Sequence, residues 1–176
     1  FLHMNDFGLV SIITPSYNCA KFIGECIESI QAQTYKNWEM LITDDCSTDT
    51  SREIIQQYIN KDPRIKLYTL DANSGAGVAR NQSISEAKGR YIAFCDSDDR
   101  WYPQKLEKQL DFMRSGDYSL TFTSYDTCDE KNNIIGYVRC LPFINYSKIL
   151  RDNGIGCLTA IYDAGKIRRC GIYAGI

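Results

Sequence analysis

The sequence has a single histidine, His3, and no apolar run near the ~20 residues that a bilayer-spanning helix needs. That histidine sits in Phe1-Leu2-His3, ahead of Met4, where it reads as part of an added remnant, so no Ser-His or Cys-His nucleophile pair is available. The first residues lack the basic-then-apolar layout of a signal peptide. The eight cysteines include no C-x-x-C pair and no metal-finger spacing, so reduced thiols are expected, with Cys26 and Cys95 acting as small hydrophobes in apolar patterns. There is no block of like charge: net charge is −2, Lys and Arg are scattered, and neither a nucleic-acid footprint nor a polybasic membrane patch stands out. Together these absences describe a soluble cytoplasmic protein that does not bind nucleic acid. At 176 residues, with no internal repeat or low-complexity linker, one domain is expected.

What is present is a rhythm of buried-strand signals. The runs from Leu9 to Thr14, Trp38 to Thr43, Ile65 to Leu70 and Tyr91 to Phe94 begin about 25 to 30 residues apart. Pro15 is placed at the end of the first run, because proline cannot donate to a sheet ladder. Helical spacing follows in Ala20–Gln33 with Phe22, Ile23, Cys26, Ile27 and Ile30, then in a segment with Ile54, Ile55, Tyr58 and Ile59 capped by Ser47, Thr48 or Asp49. A third helix is expected over Val78–Ala87, with Gly89 in its C-cap position. Such βα units build a mainly parallel sheet through right-handed crossovers, so the fold class is α/β. Beyond Pro103 a helix packs Leu106, Leu110 and Met113. Strands are expected over Ser119–Tyr125, Ile134–Cys140 and Cys157–Tyr162, with a short helix over Tyr146–Arg151, which gives an α+β second half.

The carboxyl ends of the parallel strands share one edge, where open α/β sheets bind ligands. That edge collects Pro15-Ser16-Tyr17-Asn18, Asp44-Asp45, Asp71 with Asn73, and Asp96-Ser97-Asp98-Asp99. Carboxylates as close as those of the last stretch repel by roughly 4 kcal/mol per pair at about 4 Å and an effective dielectric near 20. A divalent cation relieves this, and oxygen ligands suit Mg2+ or Mn2+ rather than zinc. An Asp-x-Asp alone is common by chance, and a solvated loop is its plain alternative.

Four stretches in order, Val10-Ser11-Ile12-Ile13-Thr14-Pro15-Ser16-Tyr17-Asn18, Asp44-Asp45-Cys46-Ser47-Thr48-Asp49, Asn73-x-Gly75 leading to Ala79-Arg80-Asn81, and Ala87-x-Gly89-x-Tyr91 through Asp99-x-Trp101, resemble family 2 glycosyltransferases. The match covers about the first two thirds of the chain. Trp101, Lys105–Leu110 and Gly156-Cys157-Leu158-Thr159 look like the bacterial branch that builds capsule, teichuronic-acid or O-antigen polysaccharides. The resemblance implies a GT-A fold: a Rossmann-like nucleotide-sugar-binding half over 9–101 and a partial acceptor half over 102–176. It also implies an inverting, metal-dependent transfer from a nucleotide sugar, a UDP-sugar being favoured, to a glycan or lipid-linked glycan. The enzyme would lie in the cytoplasm or at the inner face of the membrane, with a homo-oligomer left open.

Residue by residue, the resemblance puts Pro15, Ser16, Tyr17 and Asp45 at the nucleobase, Arg80 near the donor, Asp96 and Ser97 at the ribose or metal, and Asp98 on the metal with Asp96. For several the alternatives stay open: a helix-surface arginine for Arg80, core sealing for Tyr17, helix capping for Asp99, and packing beneath the site for Trp101. The sequence departs from the family at its end, where no Asp or Glu follows Asp163 and the expected catalytic base is missing. Asp152 and Asp163 are the late candidates, neither in a matching motif, so no catalytic residue is assigned and a truncated, poorly active product is expected. A nucleotide-sugar-binding pseudoenzyme is the main alternative. A haloacid-dehalogenase phosphotransferase would want Thr or Val where Arg100 stands, and a nucleotidylyltransferase would want a Gly-rich basic loop where Pro15–Cys19 lies.

Overall fold

The β-branched run after Leu9 forms β1, Val10–Ser16, every residue of which is buried. In the computed structural model, which describes residues 6–144, 146–149, 151 and 154–169, this strand is central. It pairs in parallel with β2, Trp38–Asp44, on one side and with β4, Tyr91–Phe94, on the other. β3, Ile65–Thr69, extends the parallel set beyond β2. Beyond β4 the sheet turns antiparallel through β8, Ile161–Asp163, and ends at the two-residue β5, Leu120–Thr121, giving the order β3-β2-β1-β4-β8-β5.

Side chains alternate across this sheet and build two cores. Val10, Ile12, Met40 and Ile42 face a layer that contains α1, Ile23–Gln31, α2, Ser51–Ile59, and α4, Lys105–Ser115. Ile13, Leu41 and Ile92 face the other way, toward Ile84 of α3, Ala76–Glu86, and Ala164 of α6, Ala164–Arg169. Central strands buried on both faces account for the continuous apolar runs.

Four local expectations are corrected. Pro15 does not end β1, which continues to Ser16 with Pro15 in register with Thr43. Ile13 accepts from Cys95 N on the β4 side, so the nitrogen of Pro15, two residues on, faces that same side, where β4 has already ended at Phe94; no ladder bond is lost. Gly89 is not a C-cap, since α3 ends at Glu86; a Cβ at Gly89 would stand 2.6 Å from Ser11 N and 2.7 Å from Leu9 O, so glycine is needed for close packing on β1. The stretch 157–162 is not one strand but a 3-10 turn, Cys157–Thr159, followed by β8. Ser119–Tyr125 likewise divides between β5 and β6, Tyr125–Cys128, which pairs with β7, Ile134–Val138, in a separate two-stranded ribbon. The expected short helix is α5, Tyr146–Ile149; Asp152 and the stretch after Arg169 lie outside the described residues.

Asp62 ties this scaffold between α2 and β3. Its carboxylate accepts from Arg64 Nε and Nη2 at 2.9 and 2.8 Å and from Gln31 Nε2 at 3.1 Å. The bond to the Arg64 guanidinium, outweighing burial, holds its pKa down at about 2 from the ordinary 3.8. With the folded pKa below the unfolded one, this stabilisation is present above about pH 4 and is lost as pH falls toward 2. Asp62→Asn should therefore lower thermal stability at pH 7, and the gap to the parent chain should close as pH falls from 4 to 2.

Candidate functional site

The carboxyl ends of β1, β2 and β4 open onto one cleft of about 380 Å³. Pro15, Ser16 and Tyr17 form its wall at the end of β1, and Asp45 stands just after β2. Asn73, Gly75, Ala76 and Arg80 enter from the loop and head of α3, and Asp96, Ser97 and Asp98 from the loop after β4. The eight residues that the resemblance assigns to the donor and metal, Pro15, Ser16, Tyr17, Asp45, Arg80, Asp96, Ser97 and Asp98, thus line a single space, whereas Asn18, Asp44, Asp71 and Asp99, expected at the same edge, do not line it.

The two neighbouring aspartates after β2 do different work. Asp44 turns inward, where it accepts from Arg52 Nε at 2.5 Å, from Ser47 N at 3.0 Å and from the Ser47 hydroxyl. Asp45 faces the cleft and accepts from Ser74 N and Gly75 N, each at 2.7 Å. The chain there turns through Gly75 at φ +89°, a left-handed conformation that glycine adopts without Cβ strain. Each carboxylate oxygen keeps a second acceptor site beyond these loop bonds.

Tyr17 is about half exposed and lines the cleft, so it does not seal the core. The Ser16 hydroxyl is spent on Cys19 Sγ at 3.1 Å, and its carbonyl accepts from Asp45 N at 2.8 Å, so Ser16 shapes the wall with backbone. Arg80 is no ordinary surface arginine. It reaches into the cleft and donates from Nη2 to Asp96 Oδ1 at 2.7 Å, while its buried Nε has no hydrogen-bond partner. Burial lowers the Arg80 pKa, but the bond to Asp96 outweighs it and the net shift is upward.

The acidic loop carries the repulsion expected from its sequence. Burial, then the charges of Asp98 and Asp96, raise the Asp99 pKa from 3.8 to about 6. Asp99 does not cap α4, whose N-cap is Gln104. Among the described residues no group of three or more His, Cys, Asp or Glu is arranged to hold a metal ion. Asp96 and Asp98 are the two carboxylates that line the cleft beside one another, and two carboxylates completed by substrate phosphates and water fit Mg2+ or Mn2+. Metal chemistry is therefore compatible with these residues only when the ligand supplies further oxygens.

Beneath the loop, Trp101 is buried and donates from Nε1 to Leu158 O at 3.1 Å, a packing role. Lys105 Nζ lies 3.8 Å from the centre of its ring with no hydrogen-bond partner, and burial pushes the ammonium down to about 7. Both this buried cation and Cys157 on the 3-10 turn, whose thiol is raised by burial and by Asp96, lie in stretches that resemble the bacterial branch, but the sequence assigns neither a role. Asn73, expected at this edge, does line the cleft; Gly75 is legible as a motif, though not as cleft wall. Asp163 sits at the opposite end of β4, in register with Tyr91, where its carboxylate accepts from Arg90 Nη2 at 2.8 Å and from Gly165 N at 3.0 Å. It is not a base for the cleft.

A mainly parallel sheet whose carboxyl edge gathers an acidic loop, a helix head and a polar cleft defines an open α/β fold with its cleft where such sheets take ligands. The chain belongs to glycosyl transferase family 2, whose model matches residues 11–169. It is 44% identical over 156 residues to the putative teichuronic acid biosynthesis glycosyltransferase TuaG of Bacillus subtilis, covering 88% of this chain and 62% of that protein. It is 43% identical over 160 residues to an Escherichia coli protein described as UDP-Glc:alpha-D-GlcNAc-diphosphoundecaprenol beta-1,3-glucosyltransferase WfgD, covering 91% and 62%. The crystal structure of S. aureus TarS 1-349 in complex with UDP superimposes with a TM-score of 0.74 at 27% identity, covering 93% of this chain and 49% of that one. The chain thus spans about 62% of the length of these two curated relatives, and the fold is the GT-A fold that the motifs imply.

Proposed function

We propose that this chain carries the donor site of an inverting glycosyltransferase that takes a sugar from a UDP-sugar and transfers it to a lipid-linked glycan in cell-surface polysaccharide synthesis. The observation that carries the reading is the convergence of Tyr17, Asp45, Arg80, Asp96 and Asp98 on one cleft at the carboxyl edge of the sheet. Family membership, the UDP complex of TarS and the donor and acceptor in the name of WfgD support it.

Tyr17 would stack on the uracil, and the remaining acceptor capacity of Asp45 suits the uracil imide N–H. Guanine offers a comparable ring N–H, so the preference for UDP rests on the UDP complex of TarS together with this contact. The head of α3 at Gly75 and Ala76 offers positive backbone charge to a diphosphate, and Arg80 adds a guanidinium once it exchanges Asp96 for phosphate oxygens. Asp96 and Asp98 would hold Mn2+ or Mg2+, which when bound neutralises charge growing on the leaving diphosphate. The reaction is a single displacement: an acceptor hydroxyl attacks the anomeric carbon, a base takes its proton, and UDP departs. The base is a carboxylate that the described cleft does not supply, and residues 9–101 constitute the donor half of the transferase.

The test is Mn2+-dependent transfer from UDP-glucose to a polyprenyl-diphosphate-linked GlcNAc acceptor. Weak product above the protein-free level, lost on chelation, is expected of a chain that carries the donor site without a base in its described cleft. UDP-glucose binding with neither transfer nor hydrolysis would reduce the protein to a nucleotide-sugar binder.

A further inference from the structure

Arg80 and Asp96 are anchored on separate elements and meet only at their tips. Arg80 lies between the buried Ala79 and Ser83 of α3, and the Ser83 hydroxyl donates to Leu41 O at 3.1 Å and meets the Thr43 hydroxyl at 2.7 Å, which fixes that helix to β2. Asp96 is held by its backbone, its carbonyl accepting from Asp99 N at 3.0 Å and from the Cys26 thiol at 3.5 Å. The side chains, 26% and 27% exposed, join through Arg80 Nη2 and Asp96 Oδ1 at 2.7 Å. That bond uses both groups poorly. A guanidinium presents a fork of donors that matches two acceptor oxygens, yet one oxygen of Asp96 receives one bond and the buried Arg80 Nε has no partner. A diphosphate, with oxygens to spare on each phosphoryl group, suits the fork better.

The same contact stands in the way of a metal. Among the described residues that line the cleft, Arg80 is the one cation, against the carboxylates of Asp45, Asp96 and Asp98. While it stays on Asp96, a divalent cation there would share Oδ1 with a guanidinium and meet its positive charge. Asp45 already holds Ser74 N and Gly75 N, so Asp98 is the cleft carboxylate left without a hydrogen bond among the described residues. One carboxylate without phosphate oxygens is a poor site for Mg2+ or Mn2+.

We infer that the Arg80–Asp96 pair is a latch that couples the two ligands: a diphosphate draws the guanidinium off Asp96, and only then does Asp96 join Asp98 in holding the metal. The inference rests on the proposed donor site and makes Arg80 a positioning residue for Asp96, beyond its own contact with phosphate. Because both backbones are anchored, the exchange needs a side-chain rotation and no movement of a loop. Removal of the guanidinium then has opposite effects on the two ligands: metal alone binds better, and diphosphate alone binds worse. An arginine that serves only the phosphate, or only the fold, gives no gain for the metal. Neither does a metal whose dependence on UDP comes only from bridging phosphate to carboxylate.

The test is Mn2+ binding by the 176-residue chain, read from the paramagnetic resonance of free Mn2+ with and without UDP, beside a titration of UDP without metal. Arg80→Gln should bind Mn2+ alone at least about fivefold more tightly than the parent and UDP alone at least about fivefold more weakly. Arg80→Lys keeps the charge and should keep the parent's weak binding of Mn2+ alone. Should Arg80→Gln melt below the parent, Asp96→Asn carries the same point. Its freed Arg80 should bind inorganic pyrophosphate without metal more tightly than Asp98→Asn does, since that variant loses an equal charge but retains the pair. An unchanged or weaker Mn2+ affinity in Arg80→Gln, an equal gain in Arg80→Lys, or equal pyrophosphate binding in the two asparagine variants would overturn the inference. If UDP fails to bind the parent with or without Mn2+, the donor reading fails, while the Mn2+ affinity of Arg80→Gln without nucleotide still decides whether the guanidinium blocks Asp96.

Discussion

Asp98→Asn abolishes the stabilisation of this protein by UDP with Mn2+. For the parent chain, ligand at about 100 times its Kd adds about 2.7 kcal/mol to the folded state, which for a domain of this size raises Tm by roughly 5–10 °C. Asp98 is exposed at the cleft, among the described residues no hydrogen bond of its carboxylate supports the fold, and its charge repels Asp99, so the asparagine variant should fold with at least the parent's Tm in the absence of ligand. With ligand its Tm should rise by less than about 2 °C, because asparagine supplies one neutral oxygen where a divalent cation needs a carboxylate. Thermal unfolding of both chains with UDP, with Mn2+ and with both together checks this. An equal shift in parent and variant would take Asp98 out of the metal site.

Asp45→Ala should cost both stability and affinity. Its two oxygens each accept a backbone N–H at 2.7 Å, from Ser74 and Gly75, and hydrogen bonds to a charged group contribute about 1.5–3 kcal/mol each. Removal frees the loop that presents Gly75, Ala76 and Arg80 and lets water reach the two N–H groups, so of the roughly 3–6 kcal/mol of the pair a loss of about 2–4 kcal/mol in unfolding free energy is expected, with at least a tenfold loss in UDP affinity. Asp45→Asn keeps one acceptor and should fall between. The comparison of nucleotides separates two roles of this residue. If Asp45 only holds the loop, UDP and N3-methyl-UDP lose affinity by the same factor; if it also reads the uracil imide N–H, UDP loses more.

Much of this architecture is legible because it is local. The apolar runs at β1 and β2 announce strands buried on both faces, and the acids that follow β2 and β4 fall at one edge once the strands are parallel. What was not legible depends on distant neighbours. Pro15 stays inside β1 because β4 ends at Phe94, and Gly89 is needed because Leu9 and Ser11 pass within 3 Å of where its Cβ would be. Asp44 and Asp45 are indistinguishable as letters, yet one binds Arg52 inside the protein and the other faces the cleft. Ile134 and Ile135 read as ordinary strand residues, and only the placement of β7 outside the main sheet shows that nothing among the described residues covers them.

The central claim, that the cleft between the Tyr17 wall and the Asp96–Asp98 loop is a metal-assisted UDP site, is tested most directly by calorimetric titration of UDP and of GDP with and without Mn2+. The account predicts binding of UDP that requires Mn2+, with GDP at least about tenfold weaker. UDP binding unaffected by Mn2+, or GDP binding as tightly as UDP, would contradict it.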